Sequence, residues 1–491
     1  MSHTPKSSVS LVFILLLFVG LIAGLMMGHL GSKLPIIDES KVSPLYLAIV
    51  GLLVAFSLEA LIKSNSSKET QSWQIPALII YLTTGIWYCI EPIYSPENLD
   101  QFSSSILQNA YGQIIIFIVS FRLLIPFLAK RLVAKQVETE VTIAPTFSPS
   151  LTLAYLAAIW VVLLGFGIYL LNGDIGAALF PVNSRAGVYL WQRGAAGSAG
   201  SGGFLISSAA YTYLLVCALF GVLLPLQTQL PVKLANLGLI LISYPYFLLS
   251  GARNQFLAVA LPAYFSYALL SKQKWWVKVL ATGAAFIALN YVLSIVIAYR
   301  NVGFGGFLSD VSQGVNANSQ QKHLGLNMLE ELCFVNSFYQ QGLLNLSYGG
   351  SYLAEFLNFI PRAIWANKPL IGIDYAILRG FGANDASDIG VFATISPGFM
   401  GQGFTNFGPY FGPIATALLL ALWGAFLARL WSQRQAILRV CLFLVGLGIT
   451  FNLGRGVTLL VLWPIIFGYA LIRVLEWLRK DKLAPTISSL S

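Results

Sequence analysis

Long apolar runs dominate the chain, broken by Pro, Gly and clusters of charge. A helix crosses a bilayer with about 20 apolar residues. Runs of that length fall at about 9–31, 43–62, 75–94, 107–129, 150–172, 204–226, 231–250, 254–271, 275–299, 408–431, 436–453 and 456–476, which predicts about twelve transmembrane helices. The runs are continuously apolar, whereas the strands of a membrane barrel alternate with period two, so a β-barrel is excluded. The first run follows Lys6 as the core of a signal peptide does. It extends from Val9 to Met27 with no small-residue cleavage pattern after it, and reads as a retained helix. Two long segments, about 173–203 and about 300–407, interrupt the series. The first ends in the low-complexity stretch Gly194 to Gly203, and the second predicts helical pieces near 323–345 and 351–360 and a Gly/Asp-rich loop from Arg379 to Gly390. Its Leu, Phe, Ile and Trp content predicts amphipathic helices lying against the membrane surface.

Composition agrees with the pattern. The chain of 491 residues is 57% hydrophobic and 10% charged, with a mean hydropathy of +0.75. A soluble domain is about 45–50% apolar and about 25% charged, so a single integral membrane domain over 1–491 is the simplest reading. Cys89, Cys217, Cys333 and Cys441 stand far apart and mostly inside apolar runs, forming neither a disulfide framework nor a zinc site. The net charge of +10 is not gathered into basic runs with interleaved aromatics, which argues against nucleic acid as a partner.

Where the charges fall sets the orientation. With a cytoplasmic N-terminus, seventeen of the 29 Lys and Arg lie in inner loops and termini, among them Lys130, Arg131, Lys272, Lys274, Arg434 and Arg479. Eleven lie on the outer side, mostly in the two long segments, which translocate largely regardless of charge. Arg122 sits within a span, in its inner half, where snorkelling to the inner interface is the expectation. Both termini are therefore predicted to be cytoplasmic.

The outer set carries the candidate chemistry. Seven of its eleven members are arginines: Arg185, Arg193, Arg253, Arg300, Arg362, Arg379 and Arg455. A guanidinium binds phosphate with a planar fork and stays charged in any environment, which suits a diphosphate at a membrane interface; solvated loop charges and lipid headgroup contacts are the plainer reading of any one of them. Arg253, in the short turn 250–255, Arg300 at the end of a span, and Arg455 in Asn452-Leu453-Gly454-Arg455-Gly456 are placed at one depth and predict one outward-facing cavity. Outer acids and bases are few; they include Glu91, Asp174, His323, Glu330, Glu331, Glu355 and Asp374. His323 is the only histidine of the large segment, and an imidazole suits abstraction of a hydroxyl proton. No histidine or acidic cluster has metal-ligand spacing, and neither a phosphate-binding glycine loop nor a nucleophile elbow occurs. No cofactor is expected.

Two stretches carry a resemblance. Phe359-Ile360-Pro361-Arg362-Ala363-Ile364-Trp365-Ala366-Asn367-Lys368-Pro369 and Gly401-Gln402-Gly403-Phe404-Thr405-Asn406-Phe407-Gly408, within this topology, resemble the Wzy-type O-antigen polymerases. Arg379 to Gly390 also fits an Arg-x10-Gly pattern of some members, whereas a second pattern beginning at His323-Leu324 meets Glu331 where it needs glycine. The resemblance implies the C-type fold of membrane glycosyltransferases, with a large periplasmic segment. It implies polymerisation of undecaprenyl-diphosphate-linked oligosaccharide repeat units at the periplasmic face of the bacterial inner membrane. Lipid-linked glycans would be donor and acceptor, and a chain-length regulator a separate partner. The physics of an activated glycosyl diphosphate asks the protein mainly to neutralise the departing diphosphate and orient a hydroxyl, without a metal, in one inverting displacement. On this reading Arg253, Arg300, Arg362, Arg379, Arg455, Arg193 and Lys368 bind the diphosphate, and the base is His323, Glu331 or Asp374. An O-antigen ligase acting on lipid A core is the near alternative. A lipid-linked sugar flippase is the alternative of another class; few charges within spans, no related halves and arginines gathered on one side argue against it.

Overall fold

The computed structural model describes residues 43–64, 72–137, 147–181, 201–250, 253–271, 273–299, 327–357, 373–380 and 395–483, with a few single positions between them; among these residues every regular element is helical. In chain order the helices are α1 (Pro44–Lys63), α2 (Gln74–Cys89), α3 (Glu91–Tyr94), α4 (Ser104–Val137), α5 (Pro149–Leu170), α6 (Ile175–Leu179), α7 (Ser201–Leu223) and α8 (Leu230–Leu249). They continue as α9 (Arg253–Leu270), α10 (Trp275–Tyr299), α11 (Met328–Gln340), α12 (Gly350–Phe356), α13 (Ile373–Leu378), α14 (Gly398–Ser432), α15 (Ile437–Leu453) and α16 (Leu459–Leu483). Local sequence sets several starts. At Ser43-Pro44 and Ser148-Pro149 the serine hydroxyl accepts from the N–H of Tyr46 (3.3 Å) or Leu151 (3.1 Å), and the proline takes the first helical position, where it has no hydrogen bond to lose.

Eleven of the twelve predicted runs fall on helices, and the first, 9–31, lies outside the described residues. Among the described residues eight helices are long and apolar enough to cross a membrane; they lie in α1, α2, α4, α5, α7, α8, α14 and α16. Helix α15 has 17 residues, and α9 opens on the polar triplet Arg253-Asn254-Gln255. Burial separates centre from rim: the span at α2 is 89% buried, those at α1 and α5 28%, and that at α8 22%. The rim helices turn large apolar side chains outward, such as Ile62, Val162 and Leu241, as a helix facing lipid does. At the centre α4 packs along α14, and α9 packs between α7 and α15. The four cysteines are buried and free. Arg122 meets the expectation of snorkelling with a partner instead: its guanidinium donates to both carboxylate oxygens of Glu59 on α1, at 2.6 and 3.1 Å.

Two elements depart from the hydropathy pattern. Helix α11, expected against the membrane surface, is mostly buried and packs on α4 and α14 through Leu329, Leu332, Cys333 and Val335. And α14, expected to start near 408, begins at Gly398 and is two helices rather than one. At Gly408 the backbone reaches φ +80° and ψ −176°, a region open to glycine, and Pro409 then begins the second half at its first position. The halves fold back on each other. Thr416 Oγ1 donates to the Phe399 carbonyl 17 residues earlier, at 3.3 Å. A Cβ on Gly403 would lie 2.6 Å from the Gly412 carbonyl oxygen, so the crossing closes only because both positions lack side chains.

Candidate functional site

The first half of this hairpin and the ends of its neighbours enclose a cleft of about 380 Å³, within the range of about 300–1,000 Å³ typical of small-molecule sites. Asn254 comes from the start of α9, Asn452 and Arg455 from the end of α15 and the turn after it, and Gln402 and Thr405 from the first half of α14. The lining also includes Ser347, then Ser351 and Glu355 on α12, and Tyr375 on α13. Leu344, Ile395, Pro397 and Leu460 add apolar surface, Arg455 and Glu355 carry the charge, and ten of the 17 described lining residues carry an amide or hydroxyl side chain. Such groups both donate and accept hydrogen bonds, as sugar hydroxyls do.

Hydrogen bonds lock the walls. Ser347 Oγ donates to Asn406 Oδ1 at 2.8 Å, and its N–H to the Thr405 carbonyl at 2.9 Å, fixing the 343–347 segment to the hairpin. Asn452 Nδ2 donates to the Asn254 carbonyl at 3.3 Å, tying α15 to α9. Asn452 is 3% exposed, and among the described residues its Oδ1 has no hydrogen-bond partner.

Behind the Tyr375 wall lies an acidic cluster. Glu91, Glu330 and Glu331 are all buried. The Glu330 N–H donates to Glu91 Oε2 at 2.9 Å, and Asn327 Nδ2 donates to Glu330 at 2.8 Å and to Glu331 at 3.2 Å. Arg379 closes the cluster, giving Glu331 a forked pair at 3.0 and 3.2 Å with its guanidinium 3.5 Å over the ring of Phe334. Burial would lower the Arg379 pKa, but the hydrogen bonds and charge of Glu331 outweigh it and hold it above its ordinary value. Tyr375 Oη donates to the same carboxylate; burial and then the Glu331 charge push its phenol well above the usual range.

The predicted site residues divide accordingly. Arg455 lines the cleft, and Arg253 is the residue before Asn254, which does. Arg379 and Glu331 pair with each other behind the wall. Asp374 falls on α13 next to Tyr375, and its side chain lies outside what is described. His323, Arg193, Arg300, Arg362 and Lys368 lie outside the described residues, as does most of 359–369. Asn452 is a cleft residue to which the sequence pattern assigns no role, its one signal being its place beside Arg455; the sequence marks Gln402 only as part of the 401–408 stretch, and Glu355 only as one of the outer acids. Among the described residues no group of three or more His, Cys, Asp or Glu is placed to hold a metal ion.

These features define the class: an all-helical protein with apolar helices of membrane-crossing length and a polar cleft at one end of the bundle. In comparison with known proteins, no family model matches the chain, no curated protein matches it in sequence, and no solved structure matches it.

Proposed function

We propose that the protein is a glycosyltransferase that polymerises undecaprenyl-diphosphate-linked oligosaccharide repeat units at the periplasmic face of the bacterial inner membrane. The observation that carries this reading is the lining of the cleft. Amide and hydroxyl side chains at ten of the 17 described lining residues, with the Arg455 guanidinium and the Glu355 carboxylate beside apolar ones such as Leu344 and Leu460, suit a ligand that is a polyol at one end and an anion on a lipid at the other. The resemblance at 401–408 adds support, because that stretch runs along the first half of the hairpin to its turn at Gly408 and supplies Gln402 and Thr405 to the cleft.

In the proposed reaction an acceptor hydroxyl attacks the anomeric carbon of the growing glycan. The new glycosidic bond forms as the bond to the diphosphate breaks, and undecaprenyl diphosphate leaves with the electron pair. One displacement inverts the anomeric centre. Arg455, with Arg253 beside the cleft, neutralises the charge that develops on the departing diphosphate. Glu355, the carboxylate among the described lining residues, takes the hydroxyl proton. Arg379 is committed to Glu331 and holds the wall rather than the substrate.

The test is reconstitution. Purified protein in nanodiscs, given lipid-linked repeat units extracted from a host strain lacking it, should build a ladder of longer glycans with EDTA present. Arg455→Ala should abolish the ladder at equal protein level. A wild-type protein that builds none, or that moves glycan onto lipid A core instead, refutes polymerisation; the second result identifies a ligase. Retention at the anomeric carbon refutes the single displacement.

A further inference from the structure

Gln402 grips the backbone of one residue with both ends of its side-chain amide. Its Nε2 donates to the Val457 carbonyl at 3.1 Å, and its Oε1 accepts from the Val457 N–H at 2.8 Å. The pair fixes the amide orientation, since a flipped amide would set donor against donor and acceptor against acceptor. Val457 belongs to the turn between α15 and α16, which carries Arg455. That turn has little regular structure of its own: Gly456 stands at φ +140°, and its N–H reaches back to the Leu453 carbonyl at 2.8 Å.

Further contacts hold the same turn from the same hairpin half. The Phe399 N–H donates to the Gly454 carbonyl at 3.3 Å, and Ser396 Oγ donates to the Arg455 carbonyl. Gln402 is anchored in its turn, its own carbonyl accepting from Asn406 Nδ2 at 2.7 Å and Thr405 Oγ1 at 3.0 Å. Asn406 in turn accepts from Ser347, which lines the cleft. Gln402 is thus the residue of the hairpin that binds both the Arg455 turn, at Val457, and Asn406, which holds Ser347.

We infer that Gln402 is a positioning residue: by clamping Val457 to the α14 hairpin it sets where the Arg455 guanidinium stands in the cleft, and so the strength with which the site holds a lipid diphosphate. The consequence for binding rests on the polymerase reading; the clamp itself does not. A residue that only fills space would be replaceable by any side chain of its size, whereas this one needs both a donor and an acceptor.

The experiment uses the full chain in nanodiscs and two readouts. The first is hydrogen exchange at the Val457 amide, whose acceptor is Gln402 Oε1. Gln402→Ala should speed it clearly, and Gln402→Glu, which keeps an acceptor and loses the donor, should fall between. The second is binding of undecaprenyl diphosphate itself. Gln402→Ala should weaken it about tenfold, the size of one or two hydrogen bonds. Because both residues act through one guanidinium, Gln402→Ala combined with Arg455→Gln should bind no more weakly than Arg455→Gln alone. Unchanged Val457 exchange in both Gln402 variants overturns the clamp whatever the ligand. Single-variant losses that multiply in the double variant overturn the action through Arg455. A wild-type protein that ignores undecaprenyl diphosphate, with Val457 exchange still responding to Gln402→Ala, refutes the diphosphate reading and the inferred effect on binding while leaving the clamp standing.

Discussion

Replacing Gly403 by alanine adds one methyl group at the tightest point of the hairpin. Built on the existing backbone, that carbon would overlap Thr416 Oγ1 and lie 2.6 Å from the Gly412 carbonyl oxygen and 3.1 Å from the Gly412 carbonyl carbon. The hydroxyl can rotate away, at the cost of its bonds to the Gly412 carbonyl (2.9 Å) and the Phe399 carbonyl (3.3 Å). The Gly412 carbonyl belongs to a helix and cannot move alone, so relief requires the two halves to separate by most of an ångström. Overpacking of a closed core costs roughly 1–3 kcal/mol, and the lost hydrogen bonds add about 1 kcal/mol or more. Gly112 on α4 is the internal control: nothing lies within 4 Å of its added carbon, and alanine there gains up to about 1 kcal/mol of helix propensity. Thermal unfolding of purified protein in one detergent, followed by loss of the monodisperse gel-filtration peak, ranks the three proteins. Gly403→Ala should melt well below wild type and Gly112→Ala at or above it. Adding Thr416→Ala should recover only part of the loss, because the carbonyl clash stays. Equal melting of Gly403→Ala and wild type would refute the hairpin packing.

Three other outcomes are expected. Arg379→Gln removes the cation from a carboxylate 3% exposed and should destabilise the α11–α13 contact by about 3–5 kcal/mol, with Glu331→Gln added to it restoring part; a single variant that melts like wild type contradicts the pairing. The raised Arg379 pKa means that the pair's stabilisation on the arginine side is fully present at and below ordinary assay pH and would be lost only as pH rises past that raised value, so melting curves taken between about pH 6 and about pH 9 should show no alkaline loss traceable to this pair. Glu355→Gln should lower the elongation rate by about 10²–10⁴-fold with protein level and lipid-diphosphate binding kept, measured from ladder formation over time; an unchanged rate removes Glu355 as proton acceptor.

Much of the cleft was within reach of the sequence, but in pieces. Arg455 and Arg253 stood out because a charge beside an apolar span is conspicuous, and their partners Asn452 and Asn254 sat within three residues of them. Glu331 and Arg379 stood out as an acid and an arginine of the large outer segment, each read as reaching substrate, and the structure pairs them with each other across 48 residues. Neither partner was visible from the other because an ion pair leaves no local periodicity. The glycines at 401, 403 and 408 could be read as a motif but not as a fold-back. In the hydropathy pattern the apolar run starts at Gly408, with the residues before it in the outer segment, and the contact of Gly403 with Gly412 appears only once the chain has turned.

By itself the sequence determined the class of molecule and the positions of its helices. Hydropathy is a property of each short window, and a bilayer selects windows one at a time. The tertiary structure alone decided which charges share a cleft and which neutralise each other behind its wall. Those choices depend on contacts between distant segments, such as Trp87 Nε1 donating to the Phe451 carbonyl 364 residues away. They also depend on the hairpin in α14, through which Gln402 reaches the turn that carries Arg455.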